Sequence, residues 1–165
     1  MKPPPHLLIY SQRFSAYSYG DYHPFKVQRY RMTFELMREL GLTEPPAAEM
    51  RECPMAEEEA LLRFHRPDYL AALAGYNEPG AAGADFFFGL GDMENPVFEG
   101  VYDWARLACG GTLEAVRQVA HGCRIAFNMA GGWHHAQPAR ASGFSYINDA
   151  VVAIKELLRR RKRVA

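Results

Sequence analysis

The chain has 165 residues, of which 48% are hydrophobic and 13% aromatic, and its 19 cationic and 19 acidic side chains give a formal net charge of zero. This length supports one domain with a core, and the composition excludes a disordered chain. The neutral balance disfavours a nucleic-acid binder that works through a broad basic surface.

The first part of the chain predicts a buried strand followed by a helix. Leu7 to Tyr10 is a short apolar run after three prolines, which is typical of a central strand. The loop from Tyr10 to Phe25 is rich in aromatic residues and is predicted to pack over the core. Ala48 to Cys53 is a weaker candidate strand. Val27 to Leu42 has apolar residues at helical spacing, namely Met32, Phe34, Leu36, Met37 and Leu40.

The middle of the chain predicts two short helices, an irregular segment and the longest helix. Pro54 to Phe64 carries early acidic residues that favour a helix N-terminus, and Asp68 to Leu73 continues as a short helix. Tyr76 to Glu94 has no regular pattern. The longest helix, Phe98 to Val119, is predicted to place Val101, Ala105, Ala108, Leu113 and Val116 inward. Gly110-Gly111 lie inside this helix, where each glycine costs about 1 kcal/mol of helix stability relative to alanine unless close packing requires it.

Arg124 to Asp149 is the stretch around which the chain is organised. Ile125 to Phe127 predict a short buried strand, and Gly131-Gly132 permit backbone angles that bulkier residues resist. His134 and His135 follow. Strand, glycine turn, polar loop and helix is the order in which open α/β sheets build sites at the carboxyl ends of their strands. Two imidazoles in such a loop suit acid–base chemistry, because histidine titrates near neutral pH. For the pair alone, ordinary loop histidines or ligands of a structural metal stay open.

The end of the chain predicts a last helix and the start of another strand. Tyr146 to Arg161 has Ile147, Val151, Ile154 and Leu158 at helical spacing. The cations from Arg159 onward suit the negative end of that helix, and a solvated helix end is favoured over a nucleic-acid patch. The order of elements predicts a single α/β domain with parallel strands.

The sequence GGWHHA at residues 131–136, followed by GF-x-Y-x-NDA at 143–150, resembles the histone deacetylase superfamily. Within it, the chain is most similar to the bacterial acetoin-utilization-type deacetylases, and GLGDMENPVF at 89–98 extends that similarity. The resemblance implies an arginase/deacetylase fold, which is an open parallel sheet with helices on both faces. It also implies zinc-dependent hydrolysis of an acetylated amine, usually acetyl-lysine in proteins.

The resemblance also implies roles around the paired histidines. His134 and His135 correspond to the catalytic acid–base pair, with His135 as the base and His134 as the electrostatic partner or acid. Gly143 and Phe144 resemble the wall of the narrow tunnel that holds the acyl-lysine stem. Trp133 resembles part of the floor or exit channel, so these three residues are substrate-binding candidates.

Two candidates lie outside that stretch. Glu94 falls in the segment shared with the acetoin-utilization branch and is a further substrate-binding candidate. Arg29 ends an HP-F…R pattern and resembles an arginine that lines an internal channel beneath the metal. From its residue type alone, Arg29 is more typical of a solvated helix start. His65, in an H-x-x-x-YL element, is interpreted as a structural residue at a helix junction.

The family's zinc ligands lie in an Asp-x-His element and a later aspartate, both expected beyond Ala165. His6, His23, His65 and His121 show no mutual zinc spacing, so no metal ligand is predicted in this chain. Residues 1–165 are therefore expected to be a single N-terminal portion of a deacetylase domain, truncated before the metal-ligand strand and inactive alone. Alternatives are a non-catalytic deacetylase-like interaction protein, an acetylpolyamine amidohydrolase, or a site completed by another chain.

The remaining features predict the compartment and the partners. Cys53, Cys109 and Cys123 have no CxxC spacing and indicate reduced thiols in a cytoplasmic protein. The start, MKPPPH, is not a signal peptide, and no apolar run is long enough to span a membrane. We expect an acetylated protein or a small acetylated amine as partner, no nucleic acid and no membrane, with oligomerisation left open.

Overall fold

A computed structural model describes residues 5–159 and 163–164, and their centre is a three-stranded parallel sheet. The strands are β1 (His6–Tyr10), β2 (Glu49–Glu52) and β3 (Ile125–Asn128), in the order β2-β1-β3. Both pairings are parallel. Leu7 to Tyr10 are all buried in β1, which confirms the predicted central strand.

The described residues form five α-helices and one short 3₁₀ helix. The helices are the 3₁₀ helix Gln12–Ala16, α1 (Gln28–Glu39), α2 (Glu58–Leu61), α3 (Pro67–Gly75), α4 (Val101–Ala120) and α5 (Asp149–Leu158). The helices predicted near 27–41 and 98–119 are confirmed, whereas Pro54 to Phe64 yields only the single turn α2. The last helix begins at Asp149 rather than Tyr146, and residues 160–162 and 165 lie outside the described residues. None of the described helices is long and apolar enough to cross a membrane.

Helices cover both faces of the sheet, as predicted. On one face, Tyr10 stacks on Phe34 of α1 with ring centroids 4.0 Å apart. On the other, the Asn128 side chain donates to the Ala108 carbonyl of α4 at 2.9 Å. The two faces follow from the register, because Ile9 pairs with Asn128 and neighbouring residues of a strand point to opposite sides.

The glycine pair in α4 is explained by close packing. A methyl group at Gly110 would collide with the Pro54 carbonyl, and one at Gly111 would lie 2.5 Å from the Cys53 sulfur and 2.8 Å from the Asn128 amide. Glycine therefore lets α4 approach the sheet and the ends of β2 and β3. The predicted reason for Gly110-Gly111 is confirmed.

Apolar residues of three predicted elements are exposed in the described part of the chain. On α1, Met32, Leu36 and Leu40 are exposed, while Phe34 packs on the sheet. Ile125 and Phe127 of β3 are 54% and 51% exposed, because β3 is the edge of the described sheet and only β1 pairs with it. Ile154 and Leu158 of α5 are also exposed, and Val152 and Ala153 are buried instead. The predicted strand at Ile125 to Phe127 is confirmed, but the prediction that it is buried is wrong.

Candidate active site

The paired histidines lie on the loop that joins the end of β3 to the start of α5. This loop leaves the carboxyl end of the strand at Asn128 and reaches α5 at Asp149. The His134 and His135 side chains are both exposed, and their ring centroids are 4.2 Å apart. The structure therefore brings the two predicted catalytic side chains together at an accessible position.

Asp149 holds the glycine turn that precedes the histidines. Its buried carboxylate accepts hydrogen bonds from the backbone N–H groups of Gly132 at 3.0 Å and Trp133 at 2.7 Å, and from the Thr112 hydroxyl of α4. Hydrogen bonds to a carboxylate are stronger than those between neutral groups. Asp149 is also the first residue of α5, where the helix dipole favours a negative charge. The turn is thereby fixed to two helices.

Asn148 holds the far side of the same loop. Its side-chain amide donates to the backbone carbonyls of His134 at 3.0 Å and Ala136 at 2.9 Å, and its side-chain oxygen caps α5 by accepting from Val151 N–H. Its own N–H donates to Nε2 of His65 at 3.0 Å. The structural role predicted for His65 is confirmed.

His65 accepts that hydrogen bond as a neutral imidazole. Burial lowers its pKa to about 4, and the backbone carbonyls of Pro138 and Gln137 act in the opposite direction. Because Nε2 accepts, the ring proton lies on Nδ1. The loop that carries the catalytic candidates is therefore supported by a buried neutral histidine.

A cavity of about 110 Å³ lies beside His135, with room for a small group or several waters. Gly143 has φ +53°, and a methyl group there would lie 2.5 Å from Cγ of the His135 ring. Phe144 also has a positive φ, +66°, and its carbonyl accepts a hydrogen bond from the Tyr19 hydroxyl at 2.6 Å. The cavity is lined by the glycine turn, four aromatic residues and three further residues, namely Gly131, Gly132, Phe25, Tyr30, Trp133, Phe144, His135, Gly143 and Ser145.

Trp133 forms the buried wall of this cavity. Its ring meets Trp104 of α4 edge-on at 4.9 Å and Phe25 at 5.5 Å, and its indole N–H donates to the Ala130 carbonyl. A buried indole with a satisfied N–H is a rigid surface. Trp133, which the resemblance makes a candidate for part of the floor or exit channel, lies in the lining of this cavity.

The two remaining candidates lie at the edges of this region. The Glu94 side chain is exposed, and its carbonyl accepts from Nε2 of His23 at 3.2 Å. The His23 ring meets Phe144 edge-on at 4.7 Å, so Glu94 stands one residue removed from the cavity wall. Arg29 is exposed at the start of α1, with its guanidinium 5.4 Å from the centre of the Phe25 ring.

Arg29 borders a second cavity, of about 250 Å³, which shares Phe25 and Tyr30 with the cavity beside His135. Arg29 is thus exposed at the start of α1 and lines this second cavity.

The histone deacetylase domain model matches residues 23–165 of this sequence. The chain belongs to the histone deacetylase family. It is 38% identical over 160 residues to histone deacetylase 3 of Oryza sativa subsp. japonica, which covers 94% of this chain and 31% of that protein. It is 37% identical over 153 residues to the acetoin utilization protein AcuC of Bacillus subtilis, which covers 90% of this chain and 38% of that protein.

Solved structures agree with this family. An HDAC homologue from Aquifex aeolicus superimposes with a TM-score of 0.83 at 33% identity, over 94% of this chain and 41% of that one. An HDAC homologue complexed with SAHA superimposes with a TM-score of 0.82 at 32% identity. The predicted deacetylase fold is confirmed, and the chain spans about a third of the length of the curated relatives.

The described residues do not provide a ligand set for the zinc ion expected in a histone deacetylase. Residues 5–159 and 163–164 contain no group of three His, Cys, Asp or Glu side chains that could hold a metal ion. A zinc site needs at least three protein ligands. The residues in the described part of this family member therefore do not fit a zinc site by themselves.

Several supporting residues of this deacetylase-family site were not predicted to take part. Asn148 and Asp149 were visible in the NDA motif, but only as part of the resemblance. His23 and Tyr19 lie 71 and 125 residues from their partners Glu94 and Phe144. The only local signal for His23 was its position directly before Pro24 in the HP-F…R pattern.

Proposed function

We propose that this chain supplies the acid–base side of a deacetylase site that hydrolyses acetylated amines, with acetyl-lysine in proteins as the substrate class. The observation that carries the proposal is the exposed pair His134 and His135 beside a small cavity walled by Gly143 and Phe144. Membership of the histone deacetylase family supports the reaction class.

Hydrolysis of an amide needs a base that takes a proton from water and an acid that gives one to the leaving amine. His135 borders the cavity, and its ring makes no hydrogen bond within residues 5–159 and 163–164, so both nitrogens can serve the reacting groups. His134 lies against it and stabilises charge or acts as the acid.

The surrounding residues receive substrate. Gly143 and Phe144 enclose the alkyl stem, because a glycine next to His135 leaves space and an aromatic ring covers apolar methylenes. Trp133 closes the floor, Glu94 meets the part of the substrate outside the cavity, and Arg29 lies along the channel behind Phe25 and Tyr30. The related HDAC homologue that binds SAHA supports a ligand-binding role for this family.

We infer zinc dependence from the family alone, with the ligands provided by residues other than those described. The proton-transfer roles above do not depend on that assignment. We further propose a cytoplasmic enzyme, since Cys53, Cys109 and Cys123 are unpaired thiols. The net charge of zero supports the absence of nucleic-acid or membrane partners.

The test compares this chain alone with a hybrid in which it replaces the matching part of Bacillus subtilis AcuC. We expect the hybrid to deacetylate an acetyl-lysine peptide, and the isolated chain to show no turnover and only weak zinc binding by calorimetry. Stoichiometric sub-micromolar zinc binding with turnover by the isolated chain would contradict the external ligand set. A folded, zinc-loaded hybrid without turnover would contradict the acid–base role.

A further inference from the structure

Two neighbouring phenylalanines in the turn at residues 86–89 are exposed to solvent. The side chains of Phe86 and Phe87 are 68% and 77% exposed, whereas Phe88 packs on the buried Tyr69 with ring centroids 5.8 Å apart. Apolar side chains that are scattered singly over a surface are ordinary, but neighbouring exposed aromatic residues are typical of binding surfaces. The turn therefore places apolar surface in solvent while its third phenylalanine anchors it to the core.

The backbone of this turn is closed by hydrogen bonds. Asp85 and Leu90 exchange both of their backbone hydrogen bonds, each at 2.9 Å, and Leu90 is fully buried. Gly89 completes the turn with φ +67°, an angle that glycine adopts with little strain. A methyl group at Gly89 would collide with the Ala141 carbonyl, so the turn also lies directly against the loop between β3 and α5.

Three further hydrogen bonds join the turn to the loop that carries the paired histidines. The Arg140 guanidinium donates to the backbone carbonyls of Phe86 at 2.7 Å and Phe87 at 3.1 Å. The Ala141 N–H donates to the Phe88 carbonyl at 2.8 Å. Hydrogen bonds from a charged donor are stronger than those between neutral groups. The position of the two exposed rings is thus fixed relative to the candidate site.

The exposed rings lie within reach of a substrate chain at the cavity beside His135. Ala141 is two residues before Gly143, which lines that cavity. The backbone path from Phe87 to Gly143 crosses one hydrogen bond and three residue steps, so the two residues are at most about 15 Å apart. An extended peptide covers that distance in about four or five residues.

The charge around the turn restricts what can dock there. Residues 76–94 contain four acidic side chains and no lysine or arginine, the acidic residues being Glu78, Asp85, Asp92 and Glu94. Opposite charges favour association and like charges facing each other disfavour it. The segment therefore favours a neutral or basic partner, and it disfavours a second copy of this chain that meets it through the same residues.

We propose that Phe86 and Phe87 form a docking surface for an aromatic or aliphatic side chain in the segment that flanks the acetyl-lysine of a protein substrate. The flanking segment is neutral or basic. Arg140 is a positioning residue, because it holds the turn and touches no substrate. This inference rests on the proposed deacetylase function for the identity of the residue that enters the cavity.

The test uses the AcuC hybrid and pairs of acetyl-lysine peptides that differ at one position. Each pair carries phenylalanine or serine two to five residues from the acetyl-lysine, on either side. We expect kcat/KM to favour phenylalanine about tenfold at one of these positions, the scale of a partly buried aromatic pair. No preference at any position overturns the proposal.

Two variants and a control assign that preference to the turn. The double substitution F86S and F87S should bring the ratio of the two kcat/KM values close to one. Leu36→Ser is the matched control, because Leu36 is a 59% exposed apolar residue on α1, and it should keep the ratio. Arg140→Met removes the donor and keeps the length of the side chain, so it should lower the ratio without abolishing it. An unchanged ratio in the double variant overturns the docking surface, and an unchanged ratio in Arg140→Met overturns the positioning role.

A binding measurement separates this proposal from the proposed function. The ring signals of Phe86 and Phe87 in the ¹³C-phenylalanine-labelled hybrid, assigned from the single serine variants, should shift with the phenylalanine peptide and not with the serine peptide. Shifts without turnover would count against the deacetylase function and support the docking surface. Turnover without preference and without shifts would support the function and overturn the docking surface.

Other occupants of the surface give different results. If sedimentation shows that F86S and F87S together convert a dimer of the hybrid into a monomer, the surface joins two copies of the chain. If Phe87→Cys resists a maleimide in the peptide-free hybrid, the AcuC part covers the turn. Either result overturns the proposal, which predicts an unchanged oligomeric state and rapid labelling that the phenylalanine peptide slows.

Discussion

The loop between β3 and α5 has a base and a tip that differ in almost every physical property. The base is formed by Asn148, Asp149, His65 and Thr112. The first three are buried, and each of the four makes a hydrogen bond to another member or to the loop. The tip, His134 and His135, is exposed, and one backbone carbonyl is the hydrogen-bond partner of its rings among the described residues. Substitutions at the base should therefore lower the free energy of unfolding. Substitutions at the tip should lower the rate of turnover and leave the free energy of unfolding nearly unchanged.

The largest effect is expected for Asp149→Ala. This substitution leaves the N–H groups of Gly132 and Trp133 and the Thr112 hydroxyl without their acceptor, and each orphaned donor costs about 1–3 kcal/mol. We expect the free energy of unfolding to fall by about 4 kcal/mol in a urea titration. Thr112→Val loses one of these bonds and also the bond that the Thr112 hydroxyl accepts from the Asn128 amide, so it should cost about 2 kcal/mol. Equal effects of the two substitutions would contradict the central place of the carboxylate in the base.

The next effect is a pH dependence that comes from His65. The pKa of His65 is lowered to about 4 by burial, whereas the unfolded chain titrates near 6.5. Between these values the unfolded chain binds a proton that the folded chain does not. Stability from this residue is therefore present above pH 6.5 and is lost as the pH falls toward 4, by about 3 kcal/mol in total.

His65→Gln is the control for this pH dependence. Its amide oxygen can still accept from the Asn148 N–H, but it does not titrate. The difference in free energy of unfolding between wild type and variant, measured by urea titration from pH 7 to 4, should isolate the His65 contribution. Parallel curves for the two proteins would show that the buried imidazole does not support the loop in the way described.

A smaller effect is expected for alanine at Gly143 or Gly132, and comparing the two variants distinguishes backbone strain from direct contact with the His135 ring. Gly143 and Gly132 both have positive φ, so alanine at either position should cost about 1–2 kcal/mol of stability. The methyl group of Gly143→Ala would lie 2.5 Å from the His135 ring, whereas that of Gly132→Ala meets nothing within 4 Å. Only Gly143→Ala should therefore shift the His135 ring resonances beyond local changes. The same shift in both variants would refute the contact.

A core element could be predicted from the sequence where its hydrophobic pattern is compatible with a single kind of burial. Four consecutive apolar residues, Leu7 to Tyr10, suit a strand that is buried on both faces, and β1 is such a strand. The face of α1 was not predictable. Helical spacing tells which residues share a face but not which face is covered, so Met32 and Leu36 looked as suited to the core as Phe34.

The tip of the site was predictable, and its base largely was not. His134 and His135 are adjacent in sequence and follow a glycine turn, and Gly143 and Phe144 come within ten residues of them. The contacts that fix these positions are long-range, such as the hydrogen bond from Tyr19 to the Phe144 carbonyl. No local sequence pattern connects residues so far apart. The role of the Asp149 carboxylate likewise depends on the fold, because Thr112, which donates to it, lies on α4.

His135→Ala in the AcuC hybrid tests most directly whether His134 and His135 perform proton transfer. We expect turnover of an acetyl-lysine peptide to fall about 10²–10⁴-fold, the scale for loss of a positioned acid–base group. Zinc content should stay near that of the parent, and the free energy of unfolding should change by less than about 0.5 kcal/mol, because the side chain is exposed. His134→Ala should lower turnover by a smaller factor. If His135→Ala instead loses the metal while its residual zinc-loaded molecules keep full specific activity, His135 is a ligand and the account is contradicted.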